Sequence, residues 1–178
     1  MPWFIPLRKS NSTSAAYEVA LFGVLGGLMF AGKVAMMALP NIEPVSLLVM
    51  LYAVVFGCKA LYPIYVYVVL EFLLHGIHLW SVNYLYIWLI LAGSAWILRE
   101  MTHPLGWALL SGIFGLFFGM LCAPVYLAVG GPKYALTWWI SGIPFDLIHG
   151  AANFAMALGL FVPLRRCLER LYRRIQTR

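Results

Sequence analysis

The chain is predicted to be an all-α polytopic membrane protein with about six transmembrane helices and both termini cytoplasmic, and three observations predict it. Of its 178 residues, 63% are hydrophobic and 10% are charged, whereas roughly a quarter of a soluble domain is charged. The apolar residues fall in long runs interrupted by Pro, Gly and charge, as successive helices in lipid require. Ten of the twelve Lys and Arg sit in gaps that alternate along those runs: Arg8 and Lys9, Lys59, Arg99, then Arg165, Arg166, Arg170, Arg173, Arg174 and Arg178. Short loops rich in Lys and Arg stay on the cytoplasmic side, so this alternation predicts an even number of spans. Lys33 and Lys133 fall outside the pattern.

The first helix is expected from Tyr17 to Leu39, closed by Pro40 and Asn41. It is longer than a signal-peptide core, carries Lys33 and lacks a small-x-small cleavage site, so it reads as a retained span. The second, Val45 to Phe56, is short for a bilayer that needs about 20 residues; it is tilted, extended through Ile42 or shielded by protein. The third covers Ala60 to about Leu79, the fourth Tyr84 to Leu98, the fifth Leu105 to Val129 and the sixth Pro144 to Leu164. One membrane domain thus fills the chain, flanked by a cytoplasmic segment over 1–15 and a basic cytoplasmic tail over 165–178. The outer connections are Pro40 to Pro44, Gly76 to Asn83, and Gly130 to Ile143. The last, GGPKYALTWWISGI, is neither a clean span nor a polar loop and reads as an interfacial or partly re-entrant element. Cys58, Cys122 and Cys167 form no even set and no metal spacing, so free thiols are expected.

On the first helix Ala16, Ala20, Gly23, Gly27, Ala31 and Ala35 share one face, a stripe that lets another helix approach closely. Packing against the chain's own helices and docking of a partner both fit it.

Ionisable residues inside spans are costly and mark cavities or partners. Here they gather toward the outer half. Glu71, His75 and His78 follow i, i+4, i+7 on the third helix, Asp146, His149 and Asn153 follow i, i+3, i+7 on the sixth, and Lys33 is a counter-ion for Glu71 or Glu43. Trp80, Asn83, Tyr84, Tyr86, Trp88, Tyr134, Trp138 and Trp139 surround them. Polar groups walled by aromatics suit a small-molecule site, although interfacial Trp and Tyr also serve as lipid anchors. Zinc or haem held by His75, His149 and nearby carboxylates is an alternative, but no HExxH-like spacing, GxSxG motif or phosphate loop is present, and an enzyme is not expected.

The runs ALPNIEPVSLLVMLYAVVFG, KALYPIYVYVVLEFLLHGIHLWSVNYLYIW and WWISGIPFDLIHGAANFAMALGLFVPL resemble the substrate-binding S components of energy-coupling factor transporters, over about Ala16 to Leu164. The resemblance implies a six-helix protein of a prokaryotic plasma membrane that captures a vitamin or related micronutrient from outside, needs no cofactor, and delivers it with a membrane coupling subunit and two ATPase subunits. It also implies that Ala16-x-x-x-Ala20 and Ala31-x-x-x-Ala35 belong to the coupling surface and that Asn41, Ile42 and Glu43 occupy a gate. Glu71, His75, Trp80, Asn83, Tyr84, Trp138, Trp139, Asp146, His149 and Asn153 are the expected substrate-binding residues. The start MPWFIPLRKS lacks the early His of the nickel and cobalt branch. A flat polar heterocycle suits the aromatics and carboxylates; a larger, cobalamin-type ligand is the alternative.

Overall fold

The computed structural model describes residues 12–176 and is helical throughout, with no strand among the described residues. Arg8, Lys9 and Arg178 lie outside the described residues. Helix α1 covers Ser12–Ala35, α2 Val45–Phe56, α3 Leu61–His75, α4 Leu79–Asn83, α5 Ile87–Ile97, α6 Pro104–Leu116 and α7 Phe118–Gln176, with a 3-10 turn at Gly57–Ala60 between α2 and α3. Four stretches are long and apolar enough to cross a membrane: Ala15–Ala35, Val45–His75, Leu79–Ile97 and Pro104–Ile175.

Two of those stretches are folded back on themselves. Within Val45–His75 the chain reverses at Gly57, whose φ of 58° is one that side chains rarely adopt. Register against α1 shows the reversal. Going up α1, Phe22 stacks on Tyr62 and Lys33 reaches Glu71, so α3 runs parallel to α1. Phe22 also meets Phe56, the Tyr52 hydroxyl donates to the Leu25 carbonyl, and Gly32 faces Pro44, so α2 runs antiparallel.

The longer reversal lies inside α7. Gly131 has φ 75° and ψ −177°, a combination open essentially to glycine alone, and Pro132 follows it with the fixed φ that suits a helix start. From there the chain returns along itself. Tyr126 stacks on Trp138 at 3.8 Å, Gly119 bonds Asp146, Gly115 abuts Gly150, Trp107 stacks on Phe161 at 4.2 Å, and Arg165 donates to the Met101 carbonyl. The pair of limbs is an antiparallel hairpin whose tip is Gly131.

This corrects the expectation for Gly130 to Ile143. Apart from Gly131 the segment is helix, and its Trp and Tyr residues form the first turns of the second limb rather than a re-entrant loop. The expected basic tail is likewise helical to Gln176. At 1.5 Å per residue the limb over 132–176 is roughly 65 Å long, about twice an apolar layer of about 30 Å. Smaller differences concern ends: α1 stops at Ala35 rather than Leu39, and α3 at His75 rather than Leu79.

The core sits around α2, nine of whose twelve residues are buried. Its shortness is thereby explained: at roughly 18 Å it is enclosed by neighbours and has little lipid-facing surface to match to a bilayer. The outer surface is apolar instead, with Val24, Leu73, Ile97 and Leu136 all more than half exposed.

At the end holding Gly57 and Met101, Lys59 donates to both Glu18 oxygens at 2.7 and 2.8 Å, and the Tyr172 hydroxyl donates to Glu18 at 3.0 Å. This network ties the arginine-bearing limb to α1 and the 3-10 turn.

Candidate functional site

The opposite end gathers Lys33 from α1, Glu43 from the connection before α2, Tyr67 and Glu71 from α3, and Tyr84 from the turn after α4. The parallel register of α1 and α3 brings Lys33 to Tyr67 and Glu71, and the two connections add Glu43 and Tyr84. Lys33 Nζ lies 2.9 Å from Glu71 Oε2, 2.8 Å from the Tyr84 hydroxyl, 3.4 Å from the Tyr67 hydroxyl and 3.9 Å from Glu43 Oε2. It also sits over the Tyr84 ring, 4.8 Å from the centroid, where the ring quadrupole attracts a cation. The expected Lys33 counter-ion is thus Glu71, with Glu43 second. His75 Nδ1 stands 3.4 Å from the same Glu71 oxygen. Glu43 lies outside the helices. Burial pushes its carboxyl up from the ordinary value, Lys33 opposes that rise and Glu71 adds to it.

A cavity of about 140 Å³ opens beside this cluster, lined by Lys33, Glu71, His75, His78, Trp80, Ser81 and Tyr84. Glu71 is only 5% exposed, and its Oε1 has no hydrogen-bond partner. A buried carboxylate oxygen left unpaired is costly and calls for a reason. His78 does not continue α3: Gly76, at φ 79°, ends that helix, and the His78 N–H donates to Ser81 Oγ, which donates to the Gly76 carbonyl. The i+7 expectation therefore misplaces His78, although the turn returns it to the cavity wall.

Of the ten expected binding residues, Glu71, His75, Trp80 and Tyr84 come together at this cavity. Trp138 stands behind Trp80, ring centroids 6.0 Å apart, in an aromatic layer that continues to Phe118. Trp139 is half-buried on the neighbouring position and is absent from the cavity wall. Asn83 is spent on structure: its amide donates to the Trp80 carbonyl, and its Oδ1 accepts from the Tyr86 hydroxyl.

Asp146 is also structural. Helix α6 ends at Leu116 and α7 begins at Phe118, so the Gly119 N–H lies in a first turn that has no helical acceptor, and Asp146 accepts it with both oxygens at 3.1 Å. The carboxylate mends a helix break across the hairpin. His149 packs its ring on Phe118 at 4.9 Å, and Asn153 donates to Ser46 Oγ at 3.1 Å. His149 Nε2, Asn153 Oδ1, Ser111 Oγ and Trp88 Nε1 are buried without a partner. Asn41 holds a turn at φ 59°, a conformation Asn tolerates better than most residues, in the connection that carries Glu43.

Tyr67 was missed in sequence, yet it stands four residues before Glu71 on the same α3 face, and the i, i+4 pattern extends to it. Ser46 and Ser111 gave no signal, because one hydroxyl in an apolar run looks like packing; Trp88, expected among the surrounding aromatics, is fully buried in the core. Among the described residues no group of three His, Cys, Asp or Glu could hold a metal ion.

Of the small-residue stripe, Ala16, Ala20, Gly23, Ala31 and Ala35 are exposed and Gly27 is partly so. No atom would lie within 4 Å of a Cβ at Gly23 or Gly27. Close packing inside the chain uses the other face, where Gly26 meets Val66 and Pro63 and Gly32 meets Pro44.

No family model matches the chain, no curated protein matches it, and no solved structure matches it.

Proposed function

We propose that the chain is a membrane-embedded binding subunit for a small vitamin-like molecule, of the kind the S-component resemblance implies. It crosses the bilayer six times, as α1, α2, α3, α4 with α5, α6 with the first limb of α7, and the second limb. The Lys59, Arg99 and Arg165 end faces the cytoplasm, by the rule that short basic loops stay inside. The Lys33–Glu71 cavity, walled by His75, His78 and Ser81 on either side of the turn at Gly76, then opens outward.

The observation that carries the reading is the buried Glu71 carboxylate beside the cavity, with one oxygen held by Lys33 and the other buried without a partner. A scaffold without a ligand accounts for Asn83 and Asp146, whose bonds are satisfied, but gives Glu71 Oε1 no purpose. The open stripe on α1 supports docking of an apolar helix from a coupling subunit, since small residues let backbones approach and association in lipid depends on packing. Binding is this chain's part; ATP hydrolysis by partner subunits drives transport.

The test is mass spectrometry of small molecules released by denaturing the purified chain after growth in rich medium. One enriched heterocyclic compound is the expected result. A preparation that is empty after every mild purification contradicts the proposal.

A further inference from the structure

Resting on that binding reading, we infer that the ligand is a single-ring organic cation, a protonated amine, amidine or amino-heterocycle, that donates a hydrogen bond to Glu71 Oε1. Three observations lead there. The first is charge: the cluster sets one lysine against two carboxylates, Glu71 at 2.9 Å and Glu43 at 3.9 Å. Lys133 is exposed and does not line the cavity.

The second is hydrogen-bond capacity. An ammonium has three N–H donors, and Lys33 Nζ already has Glu71, Tyr84 and Tyr67 oxygens within 3.4 Å. No donor is left to hold an anionic ligand. Glu71 Oε1, by contrast, is a buried acceptor without a partner, on a residue that lines the cavity. Ser81 Oγ is taken, accepting from His78 and donating to Gly76. An N–H of the ligand gives that oxygen the partner it lacks, and a charge-assisted bond to a buried carboxylate is the stronger kind.

The third is size and wall chemistry. A cavity of about 140 Å³ is close to the roughly 150 Å³ that admits one benzene ring. Trp80 on its wall offers a face on which a cationic ring gains both stacking and quadrupole attraction.

The experiment titrates the full chain in detergent with benzamidinium, benzoate and benzamide, probes of one size and three charges, followed by calorimetry and tryptophan fluorescence. Benzamidinium is expected to bind at least tenfold more tightly than benzoate, and Glu71→Gln to weaken benzamidinium at least tenfold with helicity unchanged. Benzoate binding as tightly as benzamidinium overturns the inference. So does a folded Glu71→Gln variant of unchanged affinity; should that variant fail to fold, the probe comparison on the unaltered chain decides alone. A neutral or anionic compound released from the purified protein overturns the cation class and leaves the binding proposal standing. Absence of any released compound together with no probe binding overturns both.

Discussion

Lys33 and Glu71 stabilise each other only as a pair, and either alone is a burden. With the lysine side chain about one-fifth exposed and the glutamate side chain 6% exposed, removing one partner leaves a poorly solvated charge that costs about 3 kcal/mol. Lys33→Met is therefore expected to lower thermal stability in detergent by about that amount. Lys33→Met combined with Glu71→Gln should recover more than half of it, which a double-mutant cycle measures. The site was legible in the sequence to the extent that charge reveals it: Lys33, Glu71, His75 and Glu43 stand out in an apolar chain, and the structure brings them together. Asn83 and Asp146 were equally conspicuous, yet both are committed to backbone groups. Sequence shows which polar groups lie in a span but not which backbone donors a helix break will free for them.

Among the elements, α1 presents two different glycine faces. A methyl group at Gly26 would stand 2.6 Å from Val66 Cβ and 2.7 Å from the Pro63 carbonyl, whereas at Gly23 and Gly27 it would meet nothing within 4 Å. Gly26→Ala is expected to destabilise the chain by about 2 kcal/mol through overpacking. Gly23→Ala and Gly27→Ala should leave thermal unfolding unchanged or slightly improved, since alanine favours helix by up to about 1 kcal/mol. Equal losses at all three would mean that the stripe packs inside the chain. Helices α2, α3 and α5 were close to legible because Pro, Gly and charge bound their apolar runs, whereas the expected helix from Leu105 to Val129 is broken at Phe117 between α6 and α7. The segment from Gly130 to Ile143 was not legible. Its three glycines and scattered aromatics suggest an interfacial or re-entrant element, but one residue, Gly131, makes the whole reversal, and the remainder stays helical. Composition alone could not separate a single sharp turn from a long irregular one.

For the whole molecule, the charges at its two ends carry orientation and partner. Cys58 and Cys167 are exposed near the basic end and Cys122 is buried. A membrane-impermeant maleimide is expected to leave intact cells unlabelled and to modify Cys58 and Cys167 after permeabilisation; labelling in intact cells would invert the orientation. Gly27→Trp and Ala20→Trp, placed on the open α1 face, should abolish uptake with the coupling subunits while ligand affinity in detergent stays within about twofold. A large loss of binding from either would mean that this face supports the cavity rather than a partner. The spacing of Lys and Arg supplies the expected orientation that the maleimide experiment tests, while the depth of α2 in the bundle, which resolves its short length, depends on tertiary packing that no local pattern reports.

The central claim is that Glu71 holds a small molecule in the cavity, and the most direct measurement is the amount of compound released per chain from unaltered protein and from Glu71→Gln purified side by side. The account predicts close to one molecule per chain in the first and at least tenfold less in the second, with helicity preserved. Equal occupancy in the two, or no compound in either, would contradict it.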